Sequence, residues 1–505
     1  MQLEIMDTTL RDGEQTQGIS FSPGEKLQLA RFLLTDLGVD RVEIASARVS
    51  RGEWKGAEKI ARWAAGTGMA SKVEVLGFID NGKSIQWIAE TGLKVLNLLS
   101  KGSLRHLEKQ LRKTPQEHVA AIKNEVALAT KAGIAVNLYL EDWSNGMLLS
   151  PDYVFFMLDA LKEENIRRFM LPDTLGILNP DQTYAFCKKV REAYPQLHFD
   201  FHAHNDYDLS VANVMAAVKA GFNGIHTTVN GLGERAGNAP LSSVIGVLHD
   251  HLKVKTNIRE KSINKASALA ERFSGIRVPV NKPIVGENVF TQTSGIHADG
   301  DSKDNLYYND LLPERFGRVR KYALGKLSGK ASIRKNLETL GYHLDDEALR
   351  QVTERIIELG DRKESVTADD LPYIIADVLD NGMPDKQIFI KNYTLTLTGG
   401  MRPMAHIRVQ IKDEIYENSS IGDGQYDAFM KALWKIYDDI GKKKPVLTDY
   451  RVTIPPGGKT DALVETIIKW EFEGRAVTTK GLDGDQTVAA LKATEKMLNM
   501  IEQYQ

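Results

Sequence analysis

Residues 199–206 read FDFHAHND, and the two histidines in that stretch, His202 and His204, are spaced to do chemistry. The preceding run LHFDFHAH has the aromatic alternation of a strand, on which residues i and i+2 share a face. Two imidazoles on one face can hold a single divalent ion. The competing reading is a pair of satisfied histidines at a strand end. Short motifs recur by chance, so the metal reading needs further ligands brought in from elsewhere in the chain.

An alternation of short apolar strands with amphipathic helices would bring them. Strands are expected at 3–7, 41–45, 73–78, 95–99, 134–140, 168–171, 198–202 and 224–228. Between them lie helical patterns such as SPGEKLQLARFLLTDLG and TPQEHVAAIKNEVALATKAG, opening on Ser or Thr with Pro next and closing on Gly. Those are N-cap, first-turn and C-cap signals. Eight βα units within about 250 residues predict an α/β fold, a (β/α)8 TIM barrel. An open doubly wound sheet is disfavoured, because no G-x-G-x-x-G follows the first strand. Domains are expected over 1–265 (catalytic barrel), 266–385 (mainly helical linker and lid subdomains) and 386–505 (an α+β regulatory domain).

Composition narrows the class. The 505 residues carry 65 Lys and Arg against 67 Asp and Glu, a net charge of −2 with no basic field for nucleic acid. No apolar run approaches the roughly 20 residues that span a bilayer. The opening MQLEIMDTTLRDG lacks the apolar core of a signal peptide. Cys187 is the sole cysteine, so internal disulfides are excluded and a cytoplasmic, reducing setting is expected, with Cys187 a buried structural thiol.

A barrel places its chemistry just after the strands, on the C-terminal face. The unusual polar residues fall there: DTTLRDGEQ after strand 1, YLEDWSNG after strand 5, LPDTLG after strand 6, HAHND at strand 7 and NGLGERAGN after strand 8. Asp12, His202 and His204 then make a carboxylate-and-two-imidazole set, with the Asn238 amide oxygen as a further hard ligand. Mn²⁺, Zn²⁺, Co²⁺ and Mg²⁺ all suit it. Arg11 could face a carbonyl or a developing alkoxide, or else form an ion pair with Glu43. Glu141 would act as a base or orient Arg11, and Thr174 would hydrogen-bond a substrate carboxylate or serve only its turn.

DTTLRDGEQ, LPDTLG, HAHND and NGLGERAGNA, in that order on eight βα units, resemble the acyl-CoA Claisen-condensing enzymes of the DRE-TIM metallolyase group. That group includes the 2-isopropylmalate, homocitrate and citramalate synthases. NKPIVGENVFTQTSGIHADG, NLYYNDLLPERFGR, YALGKLSGKAS and IPPGGKTDALVET extend the similarity, closest to the citramalate synthase branch, over essentially the whole chain. The resemblance implies condensation of acetyl-CoA, as co-substrate, with a 2-keto acid chelated on the metal, followed by thioester hydrolysis. It places a base region at His297 and Tyr307, with Asp299 able to orient the histidine. The acceptor of the acetyl-methyl proton stays open among Glu141, His297 and Tyr307.

Leu76, Phe78, Leu99 and Tyr139 are expected around the R group of the keto acid, with no Lys, Arg or His on those strand ends to neutralise a distal carboxylate. A methyl fits that wall better than an isopropyl, which favours pyruvate over 2-ketoisovalerate. The discrimination is only about 1–3 kcal/mol. The C-terminal section shows strands then a helix, twice, with DG before each helix. In the family this is the feedback-inhibitor domain, and the branch implies isoleucine. Tyr426, Asp427, Tyr450, Thr460 and Gln486 are candidates around an amino-acid effector. A structural dimerisation module is the competing reading, and a homodimer is expected. Rival functions are 2-isopropylmalate synthesis, a metal-dependent hydrolase and a non-catalytic amino-acid sensor.

Overall fold

The computed structural model describes residues 3–340, 343–361, 366, 371, 374–375, 378, 387–453 and 464–502. They form two compact units, Met1–Thr291 with Tyr308–Arg320, and Gln292–Tyr307 with Lys321–Gln505.

In the first unit eight parallel strands close into a barrel in chain order. They are β1 (Glu4–Asp7), β2 (Arg41–Ser46), β3 (Val73–Phe78), β4 (Val95–Lys101), β5 (Ala135–Glu141), β6 (Ile166–Asp173), β7 (Phe199–Ala203) and β8 (Gly224–Thr227). The helices start where the sequence signals them. Ser22, Thr114 and Asn179 each cap a helix whose next residue is Pro, and each forms a reciprocal capping box with Glu25, Glu117 or Gln182. Such caps fix where each helix begins and satisfy the N–H groups of its first turn.

Strand parity sorts the side chains into two cores. Ile5, Val42, Val75, Leu98, Leu138, Phe169, Phe201 and Ile225 face the helices in the large apolar layer. The other parity points inward, and there the barrel is polar over much of its length. Arg41 pairs with Glu74 at 3.1 Å and Asp200 at 2.5 Å, and Glu4 with Arg168 at 2.9 Å. Asn137 donates to Asn97, which donates to Glu43, each at 2.8 Å. Above this network Met6, Leu76, Tyr139 and Met170 form a small apolar cluster under the mouth. Cys187 is fully buried in the helix Pro180–Ala193.

In the second unit, β9 (Ile388–Thr396), β10 (Met404–Ile411) and β11 (Glu414–Ile421) form an antiparallel sheet followed by the helix Gln425–Asp439. β12 (Val446–Thr453), β13 (Val464–Phe472) and β14 (Arg475–Asp483) repeat the pattern before the helix Gln486–Glu502. The expected duplication is therefore a pair of βββα motifs sharing one apolar core. Helices over Lys330–Leu340 and Asp346–Asp361 build a smaller core from Ile333, Leu337, Val352 and Ile356. Among the described residues, no helix is long and apolar enough to cross a membrane.

Candidate active site

The loop after β1 is wound tightly enough to aim two consecutive side chains into the mouth. Thr8 O accepts from the backbone N–H groups of Arg11, Asp12 and Gly13. Beneath it the buried Lys26 ammonium donates to Leu10 O and Ile44 O, each at 3.1 Å, and pairs with Glu14 and Glu53. The loop is thus pinned to β2 and to the helices behind it.

Asp12, His202 and His204 converge, with ligand atoms all within 4.8 Å of one another. Asp12 Oδ2 lies 3.5 Å from His202 Nε2 and 3.9 Å from His204 Nε2, and the two Nε2 atoms are 3.3 Å apart. Burial would raise the Asp12 carboxyl, but Arg11 and the two imidazoles hold it well below the usual carboxylate range. Burial lowers His202, His204 and His226 to about 4. An ionised carboxylate facing two neutral imidazoles is an electron-pair-rich set that suits a divalent cation. Asn238 adds to it. Its Nδ2 donates to Asp12 Oδ1 at 2.9 Å, while its Oδ1 is buried without a partner. A buried acceptor left unpaired is costly, and turning the amide over, away from Leu232 O, would offer that oxygen to a cation beside Asp12. The loop carrying Asn238 reaches the site only because residue 233 is glycine: a Cβ there would collide with the Asn238 amide and lie 3.2 Å from Asp12 Oδ1. The donor set fits a divalent ion.

Arg11 is held on three sides. Its Nε donates to Glu43 at 2.5 Å, Nη1 to Asp12 at 2.6 Å and Nη2 to the Tyr139 hydroxyl at 3.3 Å. Glu43 is fully buried, and burial raises its carboxyl even against Arg11. The partner of Arg11 is therefore Glu43, and Glu141 instead forms a close ion pair with Lys101. This corrects two expectations. Glu141 does not orient Arg11, and a lysine does stand at a strand end, because β4 runs on to Lys101, where a shorter strand was expected. The mouth encloses a cavity of about 170 Å³ lined by Arg11, Leu76, Leu99, Tyr139, Glu141 and Thr174 along with the metal-site residues. Phe78 is not among its walls; at the end of β3 its side chain is 38% exposed. Thr174 Oγ1 accepts from Asp142 N at 2.9 Å, with Asp142 in the left-handed region at φ 64°. Its own O–H thereby stays available to donate.

The remaining candidates lie in the second unit. His297 and Tyr307 meet at a tilt of 33° with ring centroids 4.1 Å apart, and His297 Nδ1 is 3.2 Å from Gln292 Oε1. Asp299 accepts from Lys303 at 2.6 Å. Tyr426 and Tyr450 meet at 5.3 Å, and the Tyr426 hydroxyl is 2.7 Å from Thr494 Oγ1. Asp427 accepts from Asp423 N and Lys431. Gln486 opens its helix and accepts from Thr466 through its carbonyl. Thr460 lies outside the described residues.

Sequence reasoning missed Gln15 and Glu234 on the cavity wall and the buried pair Asp200 and His226 beneath it. The signal for Asp200 was present, since in HFDFHAH it shares its parity with His202 and His204.

Comparison with known proteins agrees along the chain. A model of the HMGL-like family matches residues 2–270, a homocitrate synthase post-HMGL domain model residues 284–364, and the LeuA allosteric (dimerisation) domain residues 365–502. A Methanopyrus kandleri protein assigned as an (R)-citramalate synthase CimA is 38% identical, covering 97% of this chain and 95% of its own. From Methanocaldococcus jannaschii, a 2-isopropylmalate synthase is 34% identical over 98% of this chain and 94% of its own length. The (R)-citramalate synthase CimA of the same organism is 32% identical over 99% and 100%.

Proposed function

Because the chain belongs to the HMGL-like family, and within it to the group of (R)-citramalate and 2-isopropylmalate synthases, we propose that it makes (R)-citramalate from acetyl-CoA and pyruvate. The coarse activity, metal-dependent condensation of acetyl-CoA with a 2-keto acid and release of CoA, comes with the family. Asp12, His202 and His204 would hold the divalent ion, with Asn238 Oδ1 as a fourth donor. When bound, the ion polarises the keto carbonyl and fixes the acid's orientation.

The protein's own groups supply the rest. Thr174 donates its free O–H to the substrate carboxylate. Arg11, locked by Glu43, Asp12 and Tyr139, presents a guanidinium that needs no reorganisation as the keto oxygen gains charge. The acceptor of the acetyl-methyl proton is Glu141, which lines the cavity, or His297 or Tyr307, the base region that the family resemblance implies. Water then hydrolyses the thioester.

The choice of pyruvate rests on Tyr139. Its ring is 3% exposed and backed by Met6, Leu76 and Met170. Its hydroxyl sits 3.3 Å from Arg11 and 3.2 Å from His226, and the packed ring itself fills the space that a branched substituent would need. Arg11 is the one lysine or arginine lining the cavity among the described residues, and it is already paired, which disfavours a distal carboxylate. The second reading, 2-isopropylmalate synthesis, is supported by the archaeal synthase of that name at 34% identity. In the second unit, the βββα pair matched by the LeuA allosteric (dimerisation) domain would bind isoleucine near Tyr426, Tyr450, Asp427 and Gln486 and pair with a second copy of the chain.

Thiol release from acetyl-CoA with Mn²⁺ across a panel of 2-keto acids tests the assignment. Pyruvate is expected to give the highest kcat/KM. A higher value for 2-ketoisovalerate selects the second reading. No CoA with any keto acid, while isoleucine still binds, makes the protein a sensor.

A further inference from the structure

We infer that His226 is a positioning residue for the metal centre: it accepts a hydrogen bond from His202 Nδ1 and so turns the lone pair of His202 Nε2 toward the ion. The inference rests on the reading of Asp12, His202 and His204 as metal ligands. His226 projects from β8 into the barrel interior and is 1% exposed. Its Nε2 lies 3.1 Å from Asp200 Oδ2, and its Nδ1 lies 3.3 Å from His202 Nδ1.

The polarity of this chain is set from its far end. Asp200 is fully buried, and its Oδ2 takes Arg41 Nη2 at 2.5 Å. Arg41 is anchored in turn by Glu74 at 3.1 Å. An ionised carboxylate only accepts, so His226 must offer it an Nε2–H. A neutral imidazole then has one lone pair left, at Nδ1. His202 fills it by donating its Nδ1–H, which leaves His202 Nε2 bare where it faces Asp12 Oδ2 at 3.5 Å and His204 Nε2 at 3.3 Å.

Reversing the chain fails at both ends. The His226 Nε2 lone pair would meet the Asp200 carboxylate, and a hydrogen would occupy His202 Nε2 where the ligands converge. The Tyr139 hydroxyl, 3.2 Å from His226 Nδ1, competes for the same lone pair but has Glu43 Oε2 at 3.5 Å as another acceptor. Metal-bound histidines are commonly oriented in this way by an acceptor on the other nitrogen. Here that acceptor is a second histidine, itself oriented by a carboxylate two residues before the ligand on β7.

The test is Mn²⁺ titration of the chelator-treated full-length protein by calorimetry, with thermal unfolding of each metal-free form alongside. His226→Asn places an amide oxygen near the Nδ1 position and is expected to bind within about threefold of the parent protein. His226→Leu offers no acceptor to His202, and is expected to lose about 10- to 100-fold in affinity. If His226→Leu does not fold, His226→Phe, a ring without nitrogen, is read in its place with the same expectation. Equal Mn²⁺ affinity in the parent and in the acceptor-lacking variant overturns the inference. Equal weakening in the Asn and acceptor-lacking variants also overturns it, in favour of packing. If the parent protein itself binds no Mn²⁺, the metal reading of Asp12, His202 and His204 falls instead, and the variants are not needed to show it.

Discussion

Tyr139 can be separated into a wall and a tether. Its ring closes the cavity, while its hydroxyl contacts Arg11 at 3.3 Å and His226 at 3.2 Å. Tyr139→Ser removes the ring from a site that is 3% exposed and opens room beside Leu76 and Leu99. An isopropyl group carries two carbons more than a methyl, each worth about 0.8 kcal/mol when buried, so about 1.6 kcal/mol or about 15-fold becomes available to 2-ketoisovalerate. Relief of steric overlap adds to this, within the roughly 10- to 200-fold that small apolar differences support. Tyr139→Phe keeps the wall and removes only the tether. Steady-state thiol release with both keto acids gives the ratio of their kcat/KM values. The Ser variant is expected to raise that ratio toward the branched acid by about 15-fold or more, and the Phe variant to move it less than threefold. An unchanged ratio in Ser refutes the wall. An equal shift in Phe refutes the separation, because the hydroxyl would then be setting specificity through Arg11.

Two further predictions follow from the buried charges. Glu43→Gln keeps the shape but replaces a carboxylate that takes Arg11 Nε at 2.5 Å and Asn97 Nδ2 at 2.8 Å. Losing a hydrogen bond to a charged group is worth about 1.5–3 kcal/mol, so kcat/KM should fall about 10- to 150-fold; activity within twofold of the parent would mean Arg11 holds its aim without Glu43. Asp7 has one carboxylate oxygen without a partner, and burial pushes its carboxyl up to about 7 from 3.8. Between those values the folded chain keeps a proton that the unfolded chain has lost. The group's stabilising contribution is therefore full below pH 3.8 and gone above about 7, a loss of about 4 kcal/mol. Asp7→Asn should raise the thermal midpoint at pH 8 and leave it unchanged near pH 4; a pH-independent difference contradicts this.

Much of the site was legible because barrel chemistry falls after the strands, and local polarity marks those places. Asp12, His202 and His204 meet as their positions in eight βα units require. What escaped lies inside the barrel. Glu74, Asn97, Asn137 and Asp200 alternate with apolar residues on their strands, which ordinarily signals a solvent face. In a closed barrel the second face is interior, so the same alternation places charge in the core. The end of β4 was misjudged for a related reason: Lys101 looks like a loop residue until its ion pair with Glu141 is seen. Phe78, at the last position of β3, is exposed and stands outside the cavity wall.

The interior ion pairs also bear on how the barrel is made. Glu4 on β1 binds Arg168 on β6, and Arg41 on β2 binds Asp200 on β7, across 164 and 159 residues of chain. During synthesis the first strands emerge long before these partners. A partial barrel of the first three strands already pairs Arg41 with Glu4 and with Glu74, each at 3.1 Å, so the early charges do not stand unpaired. What waits for β6 and β7 is the other side of the network, Arg168 and the Asp200 that holds His226. The polarity of the site is thus completed only when the last strands close the barrel, long after the loop that carries Arg11 and Asp12 has been made.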